Sequence, residues 1–342
     1  MDLPYLTADL PGIGGILRAS DDDFFVDEEP AYAPSGAGDH VLARIEKRGL
    51  ATPQAIERLA RALGVAPRDV GVAGMKDRHA VTRQWISLPP PVTPEQVREV
   101  TVEGVSVLEA ARHAHKLRTG HLRANRFRLR VRGVTREAAA RATAIFARLA
   151  VPPGAPNWYG EQRFGRDGDN AARGRAIVLG EERAPRDRRL ARLLVSALQS
   201  ELFNAWLTTR LADGLYAKVV AGDLLHKKPA GQFVCDDPAT DDARLAAGEL
   251  AITGPMFGAR MRQPPAGSLA ASREDAILAA AGLPRDAFAH VAAIAEGTRR
   301  DASIEVGDPR IEPLGDDAIE VCFTLPSGAY ATTVMRELMK TS

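Results

Sequence analysis

The segment Arg126-Phe127-Arg128-Leu129-Arg130-Val131-Arg132 changes from cation to apolar residue at every step. Side chains on a strand point to opposite faces in turn, which puts Phe127, Leu129 and Val131 on one face and the four arginines on the other. A sheet with one face on a core and the other toward water fits this pattern, as antiparallel sheets commonly are. Ile319 to Leu325 also reads as a strand, followed by a turn at Pro326-Ser327-Gly328 and a short helix carrying Val334 to Met339. Val70 to Ala73 is expected to be a brief apolar strand running into Gly74-Met75-Lys76-Asp77.

Helical signals surround these strands. Thr52-Pro53 and Thr93-Pro94 each offer a capping hydroxyl followed by a proline suited to the first helical position. Ala55, Ile56, Leu59 and Leu63 then form one apolar face, which Gly64 ends. From Asp187, Leu190, Leu194, Leu198, Leu202 and Trp206 recur every fourth residue and predict a long helix. Ser272-x-x-Asp275 reads as a capping box before an Ala-rich helix closed by Gly282, with Pro284 opening another. Pro/Gly clusters at 152–156, 254–268 and 307–315 are the candidate boundaries, and 342 residues suit two domains.

The 45 Lys+Arg and 44 Asp+Glu leave a net charge of +1, but the charges are segregated. Residues 1–40 hold nine acids and one base, residues 112–193 twenty bases and seven acids, and residues 301–340 eight acids and three bases. A basic middle between acidic ends leaves a polyanionic partner open, because local field counts for more than the total. An apolar share of 45% excludes a wholly disordered chain. Two cysteines exclude a disulfide framework, no apolar run spans a bilayer, and Met1 to Gly15 lacks the pattern of a secretory signal. A cytoplasmic protein is the expectation.

Chemistry concentrates in a few segments. In Gly74-Met75-Lys76-Asp77-Arg78-His79-Ala80 an aspartate lies between two cations, which favour the carboxylate. An ionised Asp77 suits a nucleophile or base, and equally an exposed turn with local ion pairs. Arg112 to Arg136 carries nine Lys/Arg, three His and no acid, which reads as an RNA backbone track or as a solvated sheet face. His113-x-His115 lacks the further ligands that zinc needs. Asn157-Trp158-Tyr159-Gly160-Glu161-Gln162-Arg163-Phe164-Gly165 suits either unstacked bases or a tightly packed interdomain corner. There is no P-loop, no dinucleotide-binding glycine motif and no H-E-x-x-H, so cofactor chemistry is disfavoured.

In this order, these elements resemble the TruD family of tRNA pseudouridine synthases over nearly the whole chain. The resemblance is carried by Asp-Asp-Phe-Phe-Val-Asp-Glu at 22–28, Gly-Met-Lys-Asp-Arg-His-Ala-Val-Thr-Arg-Gln-Trp at 74–85, and Asn125-Arg126-Phe127. It continues through Pro156 to Gly165 and Leu325-Pro326-Ser327-Gly328-Ala329-Tyr330-Ala331-Thr332. It implies an α+β fold, in which a catalytic domain with a mixed, largely antiparallel sheet and flanking helices is interrupted by a family-specific α/β insertion domain. The expected segments are 1–153 and 305–342 for the catalytic domain and 154–304 for the insertion.

The resemblance further implies isomerisation of uridine to pseudouridine at position 13 of tRNA, without cofactor or metal. tRNA is the implied partner, with no membrane and no obligate protein partner. Asp77 matches the essential aspartate. Phe24, Asn125 and Tyr330 match positions at the target base or its surroundings, Tyr330 standing where many bacterial members have Phe. Glu28, Lys76 and Phe127 match other motif positions, and Arg78 and Arg336 are further supporting candidates. By analogy with other pseudouridine synthases, Arg336 is the preferred cation for Asp77, with Lys76 and Arg78 as alternatives. A covalent and an elimination route both stay open, as do a silent RNA-binding protein and a phosphate-accepting Asp77 that would need magnesium ligands.

Overall fold

A computed structural model describes residues 3–165, 167–228 and 230–341; Met1, Asp2, Arg166, Pro229 and Ser342 lie outside the described residues. The chain divides into two compact units. One combines Leu10–Ala147 and Val306–Ala331 with the residues from Leu338 onward; the other combines the residues through Asp9 with Arg148–Glu305 and Thr332–Glu337.

The first unit is built on one sheet. Its first seven strands are β1 (Ile16–Leu17), β2 (Phe24–Pro30), β3 (His40–Arg48), β4 (Gly71–Val72), β5 (Val81–Leu88), β6 (Val105–His113) and β7 (Leu122–Arg132). Two more, Gly307–Pro313 and Ala318–Pro326, come from the distal part of the chain. The alternating segment lies within β7, whose neighbours are β2 on one side and Ala318–Pro326 on the other, both antiparallel. Among the described residues only β2 and β5 run parallel, so the sheet is mixed and largely antiparallel, as expected. Phe127, Leu129 and Val131 are buried, and Phe127 stacks on Phe323 of the neighbouring strand at 5.4 Å. Helices α1 (Thr52–Ala62) and α2 (Pro94–Glu99) cover β3 and β5 through Ile56, Leu59 and Val97.

The second unit centres on the helix Arg188–Ala212, with Leu194, Leu198, Leu202 and Trp206 in its core. Leu190, the first residue of the predicted stripe, is exposed. A four-stranded sheet contains Leu224–Lys227, Gln232–Val234, Leu250–Met256 and Thr298–Asp301. Gly174 lets the helix Asn170–Leu179 approach Arg188–Ala212, because a Cβ there would meet the Leu194 carbonyl oxygen at 2.2 Å. Among the described residues, no helix is long and apolar enough to cross a membrane.

Several local expectations are corrected. The N-cap of α1 is Ala51, so Thr52 is already helical and its hydroxyl is free for a distant partner. Ser268 caps the helix Leu269–Ala280, placing Ser272 within the helix. After Pro284 there are turns and a short 3-10 segment, Ala289–Val291. The strand expected at Val70 to Ala73 shrinks to Gly71–Val72.

Within the second unit, Arg210 and Asp223 form a buried bidentate pair, with Nη1–Oδ1 2.9 Å and Nη2–Oδ2 2.6 Å. Arg210 also donates to the Leu215 and Lys218 carbonyls. Removing one partner strands the other charge. Arg210→Met should lower the unfolding free energy in urea by roughly 3–5 kcal/mol, whereas a value within about 1 kcal/mol of wild type would show that the pair adds little.

Candidate active site

Asp77 sits in the connection between β4 and β5, where residues 73–80 form no ladder. Their backbone groups therefore need other partners. The Thr52 hydroxyl accepts from the Lys76 amide at 2.8 Å and is 2.8 Å from Gln84 Oε1, to which it donates. The Gly120 amide donates to the Ala73 carbonyl at 2.8 Å. Lys47, fully buried on β3, donates from Nζ to the Asp77 carbonyl at 2.7 Å and to the Leu50 carbonyl at 2.5 Å. The Lys76 ammonium turns inward onto the carboxylate of Glu28, which has no exposed surface. Glu28 also accepts from the Trp85 amide at 3.1 Å.

The turn thus holds its backbone from behind and presents the Asp77 carboxylate, 49% exposed, in front. The cation on that carboxylate is Arg18, whose Nη2 lies 2.6 Å from Oδ2. This corrects the expected pairing. Lys76 is held by Glu28, Arg78 is exposed, and Arg336 donates to the Leu3 and Pro4 carbonyls while lying over the Tyr5 ring. The Arg18 guanidinium rests on the Phe24 ring, 3.8 Å from its centroid. Phe24 is buried, and its ring neighbours Phe127 edge-on at 6.4 Å.

Sheet register brings the remaining residues in. Glu28 stands opposite Asn125 on β7, and Asn125 stands opposite Leu325 on its other side. The Asn125 Oδ1 and Arg18 Nε atoms are buried without a partner. Tyr330 follows the turn after Ala318–Pro326 and is 44% exposed. Phe24, Glu28, Lys76, Asp77, Asn125 and Phe127 are therefore linked by contact or register. Sequence reasoning missed Arg18, Lys47 and Thr52; the one local signal was Arg18 as the only base in an acidic stretch.

Two other segments singled out in the sequence have the following surroundings. Trp158 and Tyr159 are buried in the second unit, with Tyr159 tied through both backbone groups to Asn204 at 2.9 Å. The arginine row of β7 is largely ion-paired: Arg126 with Glu29, Arg130 with Glu320 and Arg132 with Asp23. Arg128 lies over the Phe25 ring. His113, His115 and His121 pack around Tyr32, and burial, then the neighbouring His115 and His40, lowers the His113 pKa.

A family model described as tRNA pseudouridine synthase D (TruD) matches residues 1–185 and 183–338. The tRNA pseudouridine synthase D of Anaeromyxobacter dehalogenans (strain 2CP-C) is 52% identical over 345 residues, covering 99% of this chain and 97% of that one. A protein of that name from Thermus thermophilus is 40% identical over 338 residues, covering 98% and 92%. The fold matches a crystal structure of a putative TruD from Methanosarcina mazei with a TM-score of 0.80 at 24% identity, covering 100% of this chain and 99% of that one.

Burial pushes the Lys47 pKa down to about 8 from an ordinary 10.5, against the attraction of Asp77. The folded state holds this proton less tightly than the unfolded state, so Lys47 favours folding more as pH rises from about 8 to 10.5. The stability of wild type relative to Lys47→Met should therefore grow by about 3 kcal/mol between those limits, read from urea unfolding at each pH. A pH-independent difference would contradict the lowered pKa.

Proposed function

This chain belongs to the TruD family of tRNA pseudouridine synthases, and on that premise we propose that it isomerises uridine to pseudouridine at position 13 of tRNA, without a cofactor, through Asp77. The observation that carries the reading is a half-exposed carboxylate on a turn whose backbone is tied down from behind, with Arg18 on one oxygen. Position 13 is the target that the family resemblance implies. The segment 154–304 is the family's insertion domain, and the segments 1–153 and 305–342 form the catalytic domain.

The reaction breaks the N-glycosidic bond, turns the uracil and joins C5 to the sugar. The base must leave its stack, at a cost of a few kcal/mol. The exposed Tyr330 ring offers a face for it. Asn125 Oδ1 supplies a buried acceptor for the uracil N3–H, which holds the freed base so that it rejoins. Asp77 serves either as nucleophile, forming a covalent intermediate, or as the base that removes a sugar proton. Arg18 orients the carboxylate for either route and stabilises its charge, with Phe24 beneath the guanidinium fixing its position. Lys76 and Glu28 act on the turn, while Arg78 contacts RNA phosphates. Arg336 takes a supporting role on the N-terminal segment.

tRNA carrying uridine tritiated at C5 tests this. Wild type should release label at position 13, and Asp77→Asn should reduce release by at least roughly 10³-fold with tRNA binding retained. Arg18→Ala should lose about 10–100-fold and Arg18→Lys should recover most of it. Release by Asp77→Asn at the wild-type rate would refute the assignment, and full activity in EDTA would dismiss a magnesium-dependent phosphoryl reaction.

A further inference from the structure

Met75, two residues before Asp77, is 69% exposed in a turn otherwise made of polar and small residues. Its exposure does not come from a loose backbone. Ala73, Lys76 and Asp77 are each tied by a backbone hydrogen bond, to Gly120, Thr52 and Lys47. Gly74 packs against the turn's own interior, since a Cβ there would lie 3.3 Å from Lys76 Nζ and 3.6 Å from Leu122. Lys76 points inward, its side chain 7% exposed, while Met75 and Asp77 both face outward. The fold therefore displays an apolar side chain beside the carboxylate, within about 7 Å along the chain.

On the reading that Asp77 acts on a uridine extruded from its stack, we propose that Met75 is the wedge that occupies the gap the uridine leaves. Extrusion exposes the faces of the neighbouring bases, and an apolar side chain inserted against them offsets part of the unstacking cost. The unbranched, polarisable thioether of methionine conforms to such a face without a fixed rotamer. The half-exposed Tyr330 faces the extruded base; Met75 contacts the bases that stay behind. Met75 makes no contact with the reacting atoms, so it is a positioning residue that lowers the cost of extrusion.

The test compares full-length wild type, Met75→Ala and Met75→Leu in single-turnover tritium release from folded tRNA, with melting temperatures measured alongside. Met75→Ala should slow release roughly tenfold with an unchanged melting temperature, and Met75→Leu should restore most of the rate. On tRNA made abasic at the two nucleotides flanking the target, wild type and Met75→Ala should react equally, because the wedge then has no face to meet. Met75→Ala matching wild type on ordinary tRNA, or slowing both substrates alike, overturns the proposal. Absence of release by wild type overturns the proposed function itself, a different result from either of these.

Discussion

The presentation of Asp77 depends on two buried ammonium groups. Lys47 and Lys76 lie behind the turn and meet oxygen atoms, the first the Asp77 and Leu50 carbonyls and the second the Glu28 carboxylate. Burying an ammonium is costly, and Lys47 registers that cost in its lowered pKa. The return is geometric. Residues 73–80 lack a ladder partner, so without Thr52, Gly120 and Lys47 their backbone would turn to water and sample many shapes. With them, a short loop between two strands has the definition of a strand end. That precision is what the role proposed for Asp77 requires.

The parts legible in sequence are those whose cause is local. The alternation in Arg126 to Val131 places β7, since period two leaves no other register for three apolar residues facing a core. Leu194 to Trp206 places the long helix for the same kind of reason. Thr52 shows the limit. A threonine before a proline is a plausible cap by every local rule, yet its hydroxyl serves Lys76, 24 residues away. Arg18 and Lys47 reach Asp77 across 59 and 30 residues. Sequence spacing carries no signal for such contacts, because the register of β2, β3 and β7 creates them.

Register also explains what became of the basic segment. Counting charge along the chain separates an acidic end from a basic middle, but β2 and Ala318–Pro326 flank β7 and return acids to it. Glu29 and Glu320 on those strands, and Asp23 immediately before β2, then meet arginines that looked unopposed. Arg126 is mostly exposed, and a pair of that kind contributes little stability, roughly 0–1 kcal/mol; Asp23, by contrast, is buried and held by two nitrogens of Arg132. The larger effect of these pairs is on the field, which is weaker and patchier over this face than the linear count suggests. Attraction for RNA must therefore come from cations outside the β7 row as much as from it.

Arg18 shows where the fold accepts strain. Its φ of 64° lies in the left-handed region, which costs a non-glycine residue about 1 kcal/mol or more. The approach to it uses glycine where close packing demands it: a Cβ on Gly15, φ 85°, would lie 2.7 Å from both Val131 and Val134. Ile16 and Leu17 then pair with Arg132 and Val131, so the path of the chain is settled before Arg18. A glycine at 18 would relieve the backbone but could not reach Asp77. The arginine keeps the strained angle and gains an ion pair at 2.6 Å and a ring contact at 3.8 Å. The strain falls on the residue that meets the carboxylate, three residues beyond Gly15 and just past the short strand Ile16–Leu17, where a side chain is needed and glycine cannot serve.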